Sequence, residues 1–158
     1  MPKHSETRAL PYTPEQMFDL VADVQSYDQF LPWISAIRVR EDSETLMVAD
    51  IIVGFKGLRE SFTSRVNKTR PERVHVDYVD GPLKHLHNDW RFRPDGHGGV
   101  LVDFEVEFAF KNRLFEALAG QVFHSALRKM IGAFEARAAA LYGVGASGSS
   151  SSSAQSAA

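Results

Sequence analysis

The stretch NRLFEALAGQVFHSALRKMIGAFEARAAAL, residues Asn112 to Leu141, decides the fold. Leu114, Phe115, Leu118, Val122, Ala126, Met130, Phe134 and Leu141 recur at intervals of three, four and seven, the signature of a helix. Phe123, Leu127, Ile131 and Ala138 widen that stripe, and Gln121, His124, Arg128 and Glu135 gather on the opposite side. A single helix of this length runs about 40 Å, more than a small domain needs to close a core. No Pro interrupts it. Gly120 and Gly132 lower its propensity and are expected to let a neighbouring element approach closely. Such a helix, following a run of strands, is expected to lie across the concave face of one curved sheet. On the stripe alone a plain core helix is the simpler reading, and a helix that lids a cavity needs support from the rest of the chain.

Working back from Asn112, the period is two. Val100, Val102, Phe104, Val106, Phe108 and Phe110 alternate with Asp103, Glu105 and Glu107, one apolar and one wet face. Leu86, Asn88, Trp90 and Phe92 face away from His85, His87, Asp89 and Arg91 in the preceding segment. Further strands are predicted at 73–80, 58–69, 46–53 and from Ile34 to Arg40, with a short edge strand at Ser5–Leu10. Turns fall at Glu41-Asp42-Ser43, Pro71, Gly81-Pro82 and Asp95–Gly99. One-faced strands joined by hairpins make an antiparallel sheet. Ahead of them, Thr13-Pro14-Glu15-Gln16 combines an N-cap, a Pro at the first helical position and a capping box. That helix is expected to end near Asp23 or Val24, with a further short turn at Ser26–Gln29 stopped by Pro32. The fold class is therefore α+β: six to seven antiparallel strands curved around a long C-terminal helix, with two short helices near the N-terminus. After Tyr142 the composition collapses into Ser, Ala and Gly, so residues 144–158 are expected to form a disordered tail behind one domain spanning 1–143.

One hundred and fifty-eight residues at 44% hydrophobic content suit one domain with a sizeable core. Eighteen basic and twenty acidic residues are well mixed, for a net charge of −2, and no basic block points to DNA or RNA. The chain has no cysteine, which excludes disulfides, thiolate metal sites and cysteine nucleophiles. Met1 to Glu6 carries neither the apolar core of a signal peptide nor an Arg-rich presequence, and no apolar run approaches about 20 residues. A soluble, cytoplasmic chain is expected.

Catalytic signatures are lacking. There is no Gly-x-Ser-x-Gly elbow, and Gly96 to Gly99 lies between strands rather than before a helix. Glu105 and Glu107 share the wet face of a strand and are expected to be solvated. His85 and His87, with His75 and Asp77 on the preceding strand, form the best metal-ligand pattern, but the set faces away from Leu86, Trp90 and Phe92 and lacks a dry cavity. Neither a catalytic nor a metal site is expected. What stands out is apolar bulk: eleven Phe and two Trp converge on the inner sheet face, the long helix and the Phe30–Trp33 connector. A dense core absorbs such residues; a curved sheet around a helix also encloses a ligand cavity with them. Asn88 is the polar exception on the inner face and needs a partner, either a ligand or a neighbouring group.

The run Leu20-Val21-Ala22-Asp23-Val24, with Tyr27 and Phe30-Leu31-Pro32-Trp33, resembles the opening motif of the coenzyme Q-binding proteins of the START-like superfamily. Gly81-Pro82-Leu83-Lys84 with Leu86, Asn88, Trp90 and Phe92 is similar to their central motif, and Phe134-Glu135-Ala136-Arg137-Ala138 with Leu141-Tyr142-Gly143 to their last helical turns. Leu83 departs from the pattern, where an aromatic is often found. The resemblance implies a helix-grip fold with a hydrophobic tunnel under the last helix. It further implies a non-catalytic carrier or chaperone that binds ubiquinone or a related polyprenyl lipid and supports respiratory electron transport. No cofactor is implied beyond ubiquinone as bound ligand. Bacterial members of this family include RatA-type toxins that associate with the large ribosomal subunit, and more distant relatives are called polyketide cyclases or dehydrases. A ribosome-interacting protein and an aromatase-like enzyme are therefore the alternatives. On the lead reading the tail is expected against Phe30, Trp33, Leu86, Trp90, Phe108, Phe115, Leu118, Val122 and Met130. The quinone head is expected near Asn88 and Lys84. The gate is expected at Pro32 and its connector, at Phe55 in the Gly54–Gly57 loop, and at Lys84. It would touch a membrane surface transiently, on the inner face of the cytoplasmic membrane.

Overall fold

The computed structural model describes residues 3–55 and 58–143. The gate expected at Phe55 (its side chain), Lys56 and Gly57 lies outside the described residues, as does the tail at 144–158.

Seven strands form one antiparallel sheet: β1 (Lys3–Leu10), β2 (Ile34–Asp42), β3 (Leu46–Phe55), β4 (Leu58–Thr69), β5 (Arg73–Asp80), β6 (Leu83–Pro94) and β7 (Val100–Phe110). Their order is β1-β7-β6-β5-β4-β3-β2, so six consecutive strands form a meander and β1 closes the far edge against β7. Register shifts bend the sheet at Ile34/Ala36 and Val39/Glu41 of β2, at Thr63/Ser64 where β4 meets β5, and at Leu83/His85 of β6. The result is the expected curved α+β helix-grip fold.

Local chemistry fixes the elements. At the start of α1 (Pro14–Ala22), Thr13 Oγ1 accepts from Gln16 N at 3.1 Å, and Gln16 Oε1 accepts from Thr13 N at 3.0 Å, the anticipated capping box. Met17, Phe18, Leu20 and Val21 are buried beneath it. A short 3-10 helix (Val24–Gln29) follows, and the Trp33 carbonyl accepts from Gly54 N at 2.8 Å, which ties the aromatic connector to β3. Between β5 and β6, Gly81 has φ +144, and a Cβ there would lie 2.7 Å from Phe62 Cβ; only glycine makes this turn against β4.

The long helix α2 spans Arg113–Tyr142. Asn112 Oδ1 caps it, accepting from Leu114 N at 2.8 Å and Phe115 N at 3.1 Å. Gly143, at φ 74, ends it. Three details of the expected stripe are corrected. Leu114 is 73% exposed in the first turn of α2. Leu141 is exposed in the last turn, where Tyr142 docks instead, its hydroxyl donating to the Gln16 carbonyl at 2.9 Å. Gly120 and Gly132 admit no close neighbour; a Cβ on either would meet nothing within 4 Å, and both face solvent.

Burial along α2 is asymmetric. Leu127, Phe134 and Ala138 are buried, and no residue before Leu127 is. A helix packed uniformly on a sheet would bury its stripe throughout. Before Leu127 the stripe of α2 is instead only partly buried.

Candidate functional site: a two-chambered apolar cavity

Aromatic rings prop α2 off the sheet at both ends. Near its N-terminus Phe115 meets Phe110 at 5.9 Å between ring centres, and Phe123 meets Phe108 at 5.8 Å. Further along, Phe134 packs on Trp90 at 5.1 Å, on Tyr27 at 5.3 Å and on Phe30 at 5.2 Å. Between these spacers the helix presents Ala119, Val122 and Ala126. These side chains are too short to reach the sheet across the distance the rings impose, so a void remains.

The void has two adjoining chambers. The outer one, about 380 Å³, lies between the α2 stripe (Phe115 to Met130) and the inner faces of β6 and β7. Pro82, Leu83, Val53, Glu60 and Trp33 also line it. The inner one, about 190 Å³, runs deeper over β3 to β7 and is lined by Val66, Val74, Val76, Trp90, Phe104 and Phe134, with Tyr27 and Leu31. Trp33, Val53, Phe62, Leu86, Val106 and Met130 line both chambers and form the neck. Volume and an almost wholly apolar lining match a small-molecule pocket, for which about 300–1,000 Å³ is usual.

The expected site residues separate accordingly. Trp33, Leu86, Phe108, Phe115, Leu118, Val122 and Met130 line the outer chamber, while Asn88 and Trp90 line the inner one. Phe30 does not face the cavity. It packs between Tyr27 and Phe134, with the Arg137 guanidinium 5.3 Å from its ring centre, so it braces α2 instead. Pro32 is exposed on the connector and lines neither chamber. Lys84 is exposed outside the lining as well; the β6 bulge breaks the alternation there and turns Leu83 inward in its place. Asn88 already has partners: its Nδ2 donates to the Glu105 carbonyl at 2.9 Å, and its Oδ1 accepts from Trp90 Nε1 at 3.0 Å. One amide hydrogen and one lone pair remain beyond these two bonds.

Sequence reasoning missed several lining residues. Phe62 and Val106 carry the right parity and were legible as inner-face positions. Ser64 shares that parity and is 1% exposed, yet a serine in an alternating strand gives no sign of what it faces. Tyr27 is half-buried at the chamber wall; desolvation of its hydroxyl, reinforced by Asp23, raises its phenol pKa and keeps it neutral, and the hydroxyl donates to the Val21 carbonyl.

The ionisable groups gather on the opposite, outer face. His75 Nδ1 lies 3.2 Å from Asp89 Oδ1 and its Nε2 3.0 Å from Asp77 Oδ1, and His87 Nε2 lies 3.2 Å from Glu105 Oε1. Burial opposes ionisation of Asp89, but hydrogen bonds from Arg73, Arg91 and His75 outweigh it and hold the carboxyl below its usual range. These imidazoles have carboxylate partners and point away from the cavity, as the strand parity predicted. Among the described lining residues the ionisable side chains are Glu60, at the outer chamber, and Tyr27.

Comparison with known proteins agrees with this geometry. Residues 10–135 match the family described as polyketide cyclase / dehydrase and lipid transport. The chain is 38% identical over 142 residues to the ribosome association toxin RatA of Escherichia coli K12, covering 90% of each chain. It is 35% identical over 145 residues to the mitochondrial coenzyme Q-binding protein COQ10 homolog B of Xenopus laevis, covering 89% of this chain and 59% of that one. Among solved structures, that of an 18 kDa protein from Caulobacter crescentus superposes with a TM-score of 0.72 at 42% identity, covering 90% of this chain and 99% of the other. A START-like fold, an apolar two-chambered cavity and these relatives together place the chain in the polyketide cyclase / dehydrase and lipid transport family, in the branch that holds the RatA-type and coenzyme Q-binding proteins.

Proposed function

We propose that the protein is a non-catalytic carrier that holds ubiquinone or a related polyprenyl lipid in the cavity beneath α2 and hands it to the respiratory membrane. The observation that carries this reading is the unfilled apolar space of about 380 Å³ under α2, where the stripe before Leu127 is only partly buried. An isoprenoid chain gains about 25 cal/mol for each Å² of apolar surface taken out of water, and the outer chamber offers almost no polar group to oppose it. The coenzyme Q-binding relative supports the choice of lipid. An enzymatic reading is weaker, because the described lining residues provide no pair of acid and base facing one another.

The outer chamber reaches Pro82, Trp33 and the first turns of α2, where Leu114 stands 73% exposed. These apolar groups suit brief contact with a membrane surface from the cytoplasmic side. Among the described residues no helix is long and apolar enough to cross a membrane.

Titration with a short-chain ubiquinone, read by quenching of Trp33 and Trp90, tests the proposal. Saturable quenching at low micromolar quinone is expected; linear, non-saturating quenching contradicts it. The RatA relatives favour a second reading, association with the large ribosomal subunit. Co-sedimentation with 50S subunits that persists at high salt, in protein that binds no quinone, would select that reading instead. The net charge of −2 argues against a broad electrostatic hold on RNA.

A further inference from the structure

The hydroxyl of Ser64 is fully buried, faces the inner chamber and has no hydrogen-bond partner. It stands on β4 opposite Ala49 on one side and Tyr78 on the other, where a register shift between β4 and β5 interrupts regular pairing. Bulges of this kind re-aim side chains at functional positions. A buried polar group left unsatisfied is disfavoured, and an alanine or valine would fit beside Val66 and Val74 on the chamber wall without that penalty. Ser64 thus has a spare donor and acceptor aimed into a chamber that is otherwise apolar. The nearest comparable group, Asn88, lies two strands away, about 10 Å on a pleated sheet, and is already bonded to Glu105 and Trp90. Tyr27 has committed its proton to the Val21 carbonyl.

We propose that the ligand enters head first: its polar head occupies the inner chamber and hydrogen-bonds Ser64, and its apolar tail fills the outer chamber. This rests on the carrier reading above and adds the orientation and the chemical class of the head. The inner chamber, at about 190 Å³, is larger than the cavity of about 150 Å³ that accepts a benzene ring in another protein, so one six-membered ring fits. Its described lining holds no Lys, Arg or His to balance an anion, and burying an unpaired carboxylate is strongly unfavourable. The head is therefore neutral, bearing a carbonyl or a hydroxyl, as a quinone or quinol does.

The test compares three ligands with one tail: decylubiquinone, decylbenzene and decylbenzoate. Each displaces the neutral fluorophore N-phenyl-1-naphthylamine from wild type, Ser64→Ala and Ser64→Thr. Ser64→Ala should weaken decylubiquinone by about tenfold, the worth of one hydrogen bond, and leave decylbenzene unchanged. Ser64→Thr, which keeps the hydroxyl, should restore most of the loss. Wild type should bind decylubiquinone at least tenfold more tightly than decylbenzoate. In a Trp33→Phe background, decylubiquinone should still quench Trp90, which lines the inner chamber. Equal effects of Ser64→Ala on the headed and headless ligands, no effect on either, or decylbenzoate binding as tightly as the quinone would overturn the proposal while leaving the carrier intact. A wild type that binds none of the three removes both. The melting temperature of the unliganded Ser64→Ala protein should equal or exceed that of wild type, which separates a binding loss from a folding defect.

Discussion

Phe134 is 4% exposed and touches the rings of Tyr27, Phe30 and Trp90, so it pins the second half of α2 to both the connector and the sheet. Phe134→Ala should destabilise the protein by about 3–5 kcal/mol, read as a shift in equilibrium denaturation; a loss below about 1 kcal/mol would show that the ring is not part of the grip. On the outer face, Asp89 has a carboxyl pKa below its ordinary value of 3.8. Its contribution is complete above that ordinary value and disappears as pH falls through the depressed one. Asp89→Asn should therefore lower stability at neutral pH, by leaving Arg73 and Arg91 short of a partner, and flatten the loss of stability below pH 3.8. Parallel acid-unfolding curves for the two proteins would contradict this. At this scale the sequence was a partial guide. Parity along β6 and β7 identified Leu86, Asn88, Trp90 and Phe108 as inward, because alternation in a regular strand leaves no freedom. Lys84, expected near the quinone head, is exposed outside the lining, where a bulge at Leu83/His85 interrupts the alternation, and parity gave no hint that Ser64 lacks a partner, since partners come from other strands.

Among the elements, α2 was the most legible, because a 30-residue apolar period has no other solution. The capping box of α1 was equally plain, its two hydrogen bonds following from residue types three apart. The stripe does not record how far the helix stands from the sheet. That distance is set by aromatic pairs such as Phe110–Phe115 and Phe108–Phe123, which join residues from different elements. Phe30 illustrates the same gap: its chemistry suited the cavity, and packing assigned it to the brace. The two helix glycines were expected to admit a neighbour and instead face open space. Gly120→Ala should therefore stabilise α2 by about 0.5–1 kcal/mol through lower backbone entropy in the unfolded chain, measured by denaturant midpoint at constant slope. A lower midpoint would place a neighbouring group against Gly120.

For the whole molecule, the meander of β2 to β7 with β1 at its far edge makes a trough, and α2 closes only half of it tightly. The division of labour is spatial: charged networks stabilise the outer face, aromatic spacers hold the grip, and the interior is lined almost wholly by apolar side chains. Val122 sits on the outer-chamber roof about a third of the way along α2. Val122→Trp would add an indole where the proposed ligand tail would lie, whereas in a packed core the same change costs about 1–3 kcal/mol. The direct measurement is extraction and mass analysis of lipid from protein purified without detergent, wild type beside Val122→Trp, with the melting temperature of each. The predicted result is near-stoichiometric ubiquinone or polyprenyl lipid in wild type and little in the variant, at a melting temperature that matches wild type stripped of lipid. A wild type that carries no lipid, with a variant that melts several degrees lower, would contradict the carrier.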